Sequence, residues 1–263
     1  MTKKLLEYRV WDRTTRIFHW VNLLAVLVLI AVGVAILNSS ALGVSVEGKV
    51  LLKTIHVYAG YVFAMNLLWR LVWGFRGGRY ARWGMVLPLG KGYVAALQDY
   101  ISGVRTSYLG HNPLGRLAVT ALLLALTTQM VTGLVLAGTD IYYPPLGGWI
   151  SHWIAAPGVD PATLVPGVRD NLDPDAYAEM RSFRSPFIQI HEIAFYVTLG
   201  LILLHVSAVV WTEIRHGGSL VSAMFTGRKI LSEVPEDALE DAPEYAPEYA
   251  PPVSTEKQAG RPG

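Results

Sequence analysis

The chain has 263 residues, of which 52% are hydrophobic and 16% are charged, with a formal net charge of +2 at pH 7. This composition is typical of membrane proteins and argues against a soluble globular domain. The chain has no cysteine, which excludes disulfides, thiolate metal sites, iron–sulfur clusters and covalently attached c-type haem.

Four apolar segments are long enough to cross a bilayer, which takes about 20 residues. They occupy roughly residues 17–37, 50–74, 115–137 and 187–212. A cleavable signal peptide is the rival interpretation of the first segment, but the run is too long and no small-residue cleavage site follows it. The sequence therefore predicts an all-α integral membrane protein, a four-transmembrane-helix bundle.

Lysine and arginine residues are distributed unequally between the two sides of this bundle. Five precede the first span, five lie between the second and third, and three follow soon after the fourth. The first connection contains Lys49 alone, and residues 138–186 contain three arginines against six acids. Because positive loops stay in the cytoplasm, both termini are predicted to be cytoplasmic, in a bacterial inner membrane.

The connections and the C-terminal end differ in character. Residues 75–114 are basic and include KGYVAALQDYISG, which predicts a short helix on the membrane surface. Residues 138–186 form a long outer loop rich in Pro, Gly, Trp and Asp, and such loops usually either function or are disordered. Residues 1–230 are predicted to form the membrane domain. Residues 231–263 are acidic and Pro-rich, which predicts a disordered cytoplasmic tail.

Four of the seven histidines fall within the predicted spans, where ionisable residues are costly and therefore candidates for function. Fourteen residues of helix rise about 21 Å and make almost four turns, so His191 and His205 share a face at opposite depths. His19 begins the first span and His56 begins the second. His19 is thus level with His205 on the inner side, and His56 with His191 on the outer side. Facing imidazoles are typical axial ligands of six-coordinate haem iron, so the pattern predicts two haems.

Other residues in the spans fit the same arrangement. Gly33 lies fourteen residues after the first of these histidines, where it is expected to leave room for the outer haem, and Gly60 lies one turn after the second. Arg70 is predicted to pair with a propionate of the inner haem, and Lys53 is a candidate for the same role at the outer one. The alternatives are that membrane helices are rich in glycine anyway and that an arginine near a helix end simply reaches for the interface.

Four motifs together resemble the bacterial cytochrome b561 family, which belongs with the b-type cytochrome subunits of nickel–iron hydrogenases. They are VWDRTTRIFHW, RLVWGF, HNPLG and LHVSAVVWTEIRHGGSLVSAMFTGRK. The resemblance covers about residues 8–230 apart from 138–186. It implies a bundle binding two b-type haems through His19, His56, His191 and His205, and electron exchange between the quinone pool and a redox partner.

The expected function is therefore electron transfer across the membrane, without a catalytic residue. His111 with Asn112, or Gln129, are the open candidates for a quinone site. The outer loop 138–186 is expected to dock a periplasmic redox protein, either a hydrogenase-like enzyme or a soluble cytochrome, since its acids can steer a basic partner. Membrane lipid is the other expected contact, and no nucleic-acid partner is expected.

Three other classes of protein remain open at this point. A membrane oxidoreductase acting directly on a small substrate such as superoxide would use the same haems but turn over without a protein partner. A haemless transporter of protons or metal ions, or a haemless membrane anchor, would show no haem absorption. Intramembrane histidines also form ordinary hydrogen bonds between helices, which is the structural alternative for each of the four.

Overall fold

The computed structural model describes residues 6–104, 106–216, 219–231 and 235–238. Within this part the chain forms eight α-helices and two short β-strands, joined by loops with two 3-10 turns at Arg79–Ala81 and Pro161–Thr163. The elements in chain order are β1 (Leu6–Arg9), α1 (Arg13–Leu37), α2 (Val46–Arg76), α3 (Trp83–Val86), α4 (Tyr93–Ile101), α5 (Pro113–Ile141), α6 (Gly147–Ile154), α7 (Pro174–His216), α8 (Leu220–Thr226) and β2 (Arg228–Leu231).

The helices α1, α2, α5 and α7 are long and apolar enough to cross a membrane. They contain the four predicted segments. Their outer faces carry exposed apolar side chains such as Leu24, Met65, Leu124 and Leu203. Helices satisfy their own backbone hydrogen bonds and can therefore face lipid directly. The predicted class, an all-α integral membrane protein with four spanning helices, is confirmed.

The four spanning helices pack as two hairpins. Helix α1 packs against α2, α5 packs against α7, and contacts between α2 and α5 join the two hairpins. Their shared core contains Phe63, Leu67, Leu126 and Met130. Among the described residues, α7 has no extended packing against α1 or α2. Two open seams therefore run beside α7, one facing α1 and one facing α2.

Side-chain caps define where three of these helices begin. Asp12, Ser45 and Asn112 each accept a hydrogen bond from the backbone amide three residues further on. Such caps satisfy amides that have no partner within the helix. Pro113 follows the last of them at the first position of α5, where its missing N–H is not needed. Asp12 also accepts from the amide of Gly78 at 3.1 Å, which ties the start of α1 to the end of α2.

Helix α7 is longer than its predicted span. It begins at Pro174, thirteen residues before residue 187, because Asp173 caps it through the amides of Asp175 and Ala176. The first turns carry polar side chains that extend beyond the apolar segment. The predicted outer loop 138–186 accordingly includes the end of α5, helix α6 and the start of α7, and only residues 142–173 connect the two spans.

The two ends of the described chain meet at the His19 end of the bundle. Strands β1 and β2 pair antiparallel, and α4 occupies the predicted surface helix. Asp237 accepts hydrogen bonds from the amides of Leu109 and Gly110, at 2.6 and 2.8 Å. The predicted tail 231–263 thus includes the last residue of β2 and a segment in contact with the loop before α5. Its remainder, 239–263, lies outside the described residues.

Candidate functional site

The predicted outer pair, His56 on α2 and His191 on α7, faces across one of the open seams. Their ring centroids are 6.4 Å apart and the ring planes are inclined by 76°. Metal–imidazole bonds are about 2 Å long, so two imidazoles on one metal place their centroids roughly 6 Å apart. The observed separation fits a shared metal between the two rings.

The hydroxyl of a threonine lies against His191. Oγ1 of Thr132 on α5 lies 2.7 Å from the carbonyl of Thr128 and 2.8 Å from Nδ1 of His191. In the arrangement in which the hydroxyl donates to that carbonyl, Nδ1 carries the proton and donates to the hydroxyl, which leaves a lone pair on Nε2. Metal-binding histidines are usually held by a hydrogen bond of this kind. Sequence reasoning did not identify Thr132, which is one of several threonines in α5.

Each outer imidazole lies against a glycine of the neighbouring helix. A Cβ added to Gly33 would lie 3.4 Å from Cε1 of His56, and one added to Gly133 would lie 3.3 Å from Cε1 of His191. Gly33 was predicted at this level, and it lies directly against the ring. Gly133 was not predicted. A Cβ added to Gly60 would meet no atom within 4 Å, so open space adjoins it.

The predicted inner pair, His19 on α1 and His205 on α7, lies beside the other open seam. The two imidazoles are close enough for their charges to interact. Within the described part of the chain, Nδ1 of His19 is buried without a hydrogen-bond partner, as is Nδ1 of His56 at the outer level. Both pairs thus combine half-buried imidazoles with a gap between helices that do not pack. This arrangement fits a flat group inserted between the rings.

Arg70 lies buried at the inner level, with 5% of its surface exposed. Its guanidinium lies 5.1 Å from the ring of Trp83 and 6.0 Å from the ring of Phe18. The Trp83 ring can approach because residue 74 is glycine: a Cβ there would lie 2.2 Å from the indole. Nη1 of Arg70 is buried and has no hydrogen-bond partner among the residues that the structure describes. A buried cation of this kind fits a carboxylate ligand such as a haem propionate.

The observed partner of Lys53 differs from the expected haem propionate. It pairs with Asp140, at the end of α5, and the same carboxylate also lies 2.9 Å from Arg184 on α7. Two cations therefore share one carboxylate at the outer end of the bundle. The cluster joins α2, α5 and α7 and keeps a surplus positive charge beside the outer histidines.

The residues considered for a quinone site have defined surroundings. Asn112 caps α5 and donates through Nδ2 to the Tyr100 hydroxyl at 2.7 Å. Gln129 donates to the backbone carbonyl of His191 at 3.0 Å. His111 lies at the His19 end, and its Nδ1 is buried with no hydrogen-bond partner in the described ranges. Burial, with smaller contributions from nearby cations, lowers its pKa to about 3. His111 is therefore a neutral imidazole at physiological pH.

Comparison with known proteins gives a consistent result. The model of the prokaryotic cytochrome b561 family matches residues 10–227, a range that includes all four paired histidines. Among similar proteins, a probable Ni/Fe-hydrogenase B-type cytochrome subunit of Rhodobacter capsulatus is 25% identical over 241 residues, which cover 85% of this chain and 82% of that protein. Its counterpart in Rhizobium leguminosarum bv. viciae is 25% identical over 242 residues, which cover 85% of this chain and 89% of that protein. A probable Ni/Fe-hydrogenase 1 B-type cytochrome subunit of Escherichia coli strain K12 is 28% identical over 151 residues, covering 53% and 64%.

Proposed function

Because the chain belongs to the prokaryotic cytochrome b561 family, we propose that it carries electrons across the membrane through two haem b groups, one at each level of the bundle. The observation that carries the proposal is the outer pair, whose imidazoles face each other across a seam that no helix packing fills, at a separation that suits a shared metal. The hydroxyl of Thr132 beside Nδ1 of His191 favours a tautomer with a free Nε2 lone pair.

His19 and His205 hold the inner group in this proposal, and His56 and His191 hold the outer one. When bound, haem b supplies a one-electron iron couple. Two imidazoles would hold the iron at each level, and ligation by both would leave no position for oxygen, which favours electron transfer over oxygen chemistry. The buried charge of Arg70 offsets a propionate at the inner level.

The glycines of the outer level have a separate role. Gly33 leaves room beside the His56 ring, where an added Cβ would lie 3.4 Å from Cε1. Gly60 leaves the open space beside α2 that the edge of the outer group occupies. Both roles depend on shape alone, since glycine has no side chain with which to bind.

The two levels are linked by one helix. His191 and His205 lie about 21 Å apart along the axis of α7, and the apolar core of a bilayer is about 30 Å thick. Electrons that pass between the two levels therefore cross most of the membrane. The charge distribution supports a bacterial inner membrane with both termini in the cytoplasm. The pairing of β1 with β2 supports the same conclusion, since it puts residues 6–9 and 228–231 on one side.

The names of the relatives support a hydrogenase as the redox partner. We infer that it docks on the periplasmic side, on residues 142–173 and the start of α7. The exposed carboxylates of Asp160, Asp170, Asp175 and Glu179 would attract a basic patch, as they would on a soluble cytochrome. The quinone pool is the second proposed redox partner, and His111 with Asn112, or Gln129, remain the candidates for its site.

A haem count on the purified full-length chain tests the proposal. The reduced-minus-oxidised spectrum should give two b-type haems per chain. His56→Ala and His191→Ala should each remove the same haem, and His19→Ala and His205→Ala should each remove the other. His152→Ala is the matched control, because His152 is exposed and outside the spans, and it should keep both haems.

Three results would overturn the proposal. They are a folded but colourless protein, a single haem per chain, and variants whose losses do not group into these two pairs. Reduction of added quinone with electrons from a hydrogenase then tests the partners. Turnover of superoxide without any protein partner would instead indicate the small-substrate oxidoreductase.

A further inference from the structure

A groove lies at the His19 end of the bundle, between the start of α1 and helix α8. It encloses about 350 Å³ and is lined mainly by Arg13, Arg16, Ile17, Trp20, Val21 and Phe225. Arg13 and Arg16 come directly before the apolar segment of α1, at the start of a helix long and apolar enough to cross a membrane, a position that suits the depth of the lipid headgroups. No part of the haem proposal uses it.

The polar side of the groove has an uncompensated positive charge. Among the described residues, no carboxylate lines the groove or forms an ion pair with Arg13 or Arg16. Nη1 of Arg16 donates to the carbonyl of Phe225. The two arginines therefore bring two positive charges to the lining of one cavity.

The other side of the groove is apolar. Ile17 and Phe225 are 52% and 60% exposed, and the Trp20 ring lies 4.4 Å from the Phe225 ring. The indole nitrogen of Trp20 is occupied, since it donates to the carbonyl of Met224 at 3.0 Å. Trp20 therefore contributes a flat apolar wall and leaves polar recognition to the two arginines.

We propose that this groove binds one anionic phospholipid. Its phosphate accepts from the guanidinium groups of Arg13 and Arg16, and an acyl chain lies along Ile17, Val21 and Phe225. Guanidinium groups bind phosphate oxygens with charge-assisted hydrogen bonds. A neutral quinone would leave both charges unpaired. Inorganic phosphate would leave the apolar wall exposed, so the combination favours a lipid with an anionic headgroup.

Lipid retention by the full-length chain tests this site. The detergent-purified protein is titrated with phosphatidylglycerol or with phosphatidylcholine of the same chain length, and bound lipid is counted by native mass spectrometry. One phosphatidylglycerol should be retained in preference to phosphatidylcholine. A basic residue near a membrane surface contributes about 1 kcal/mol, so Arg13→Gln and Arg16→Gln should each weaken retention ~5-fold and the double variant ~25-fold.

Arg76→Gln is the matched control, because Arg76 is an exposed arginine at the same end of the bundle. It should retain phosphatidylglycerol as the unaltered protein does. If the arginine variants lose helical circular dichroism, Phe225→Ala replaces them and should weaken retention without removing a charge. Equal retention of phosphatidylcholine, or an equal loss in Arg76→Gln, would overturn the proposal. So would full displacement by millimolar inorganic phosphate, which indicates a free-anion site, or by a short-chain quinone.

Discussion

The hydroxyl of Thr132 has a single proton, and its position decides the chemistry of His191. When that proton is directed at the carbonyl of Thr128, the hydroxyl accepts from the imidazole. This arrangement holds the His191 ring in place and favours the tautomer with a free lone pair on Nε2. His56 has no such partner on Nδ1 within the described residues. The two outer imidazoles are therefore not equivalent.

Replacement of Thr132 by valine should loosen the outer haem. Valine has nearly the same shape but cannot accept from Nδ1, so a buried N–H is left unpaired. Loss of such a hydrogen bond typically weakens a metal site about 10- to 100-fold. Transfer of haem to apomyoglobin measures this, and the variant should lose one haem faster by about that factor and the other at the unaltered rate.

Thr128→Val provides the control for this experiment. The Thr128 hydroxyl donates to the carbonyl of Leu124, one turn away from the imidazole, and its backbone carbonyl is unchanged by the substitution. Haem transfer from this variant should match the unaltered protein. Equal rates for the Thr132 and Thr128 variants would show that the hydrogen bond does not hold the site.

Sequence alone predicts the histidines of this site better than their surroundings. The rise of a helix is fixed, so a spacing of fourteen residues places His191 and His205 at two depths on one face. Thr132 and Gly133 approach His191 only because α5 is rotated to present them to α7. That rotation depends on packing along the whole helix, and no local pattern encodes it. The pairing of Lys53 with Asp140 and Arg184 was missed for the same reason.

At the scale of elements, Asn112 connects the start of α5 with helix α4. Its side chain accepts from the amide of Gly115 and donates to the hydroxyl of Tyr100. Asn112→Ala should lower the free energy of unfolding by about 1 kcal/mol through loss of the cap, and thermal unfolding followed by circular dichroism measures it. Asn171→Ala is the control, since Asn171 is exposed in the connection before α7. The role as a cap is wrong if the two variants unfold alike.

The spans were predictable as elements, but their ends were not. Apolar runs report the part of a helix that lies in lipid, so the four segments appear in the sequence. The first turns of α7 lie outside that depth and contain polar side chains, such as those of Asp175 and Arg181, so hydropathy gives no signal for them. Their helical start depends on the Asp173 cap. Strands β1 and β2 were also missed, because each has four residues and its partner lies more than 200 residues away.

At the scale of the whole molecule, a buried lysine joins the two ends of the described chain. Lys229 on β2 is 4% exposed and donates to the carbonyls of Tyr108, Leu109 and Gly110. Asp237 binds amides of the same loop. One assembly therefore forms at the His19 end of the bundle. It consists of β1, the loop before α5 and β2.

The buried Lys229 should make the free energy of unfolding depend on pH in the alkaline range. Burial lowers the pKa of Lys229 to about 8, although Asp237 acts in the opposite direction, whereas an unfolded lysine has a pKa of about 10.4. Between these values the folded chain has lost a proton that the unfolded chain keeps. The free energy of unfolding should therefore rise with pH in this window, by up to about 1.4 kcal/mol per pH unit.

Unfolding measured from pH 7.5 to pH 10 tests this dependence. Lys229→Met has no group to titrate at this position. Its free energy of unfolding should therefore rise less steeply with pH than that of the unaltered chain, by up to about 1.4 kcal/mol per pH unit. Lys91→Met removes an exposed lysine and should keep the rise. A Lys229→Met profile parallel to the unaltered one would show that this ammonium does not titrate in the folded protein.

The continuity of α7 has a consequence for how this architecture tolerates change. Helix α7 is continuous and provides one histidine to each level. Its internal proline, Pro186, lies outside the interval between His191 and His205. Lengthening any loop leaves the vertical spacing untouched. A single residue inserted between His191 and His205 would advance the lower ring by about 1.5 Å and swing it by about 100°, away from α1. Length changes in the loops are thus tolerable, whereas a change within these thirteen intervening positions separates the two levels.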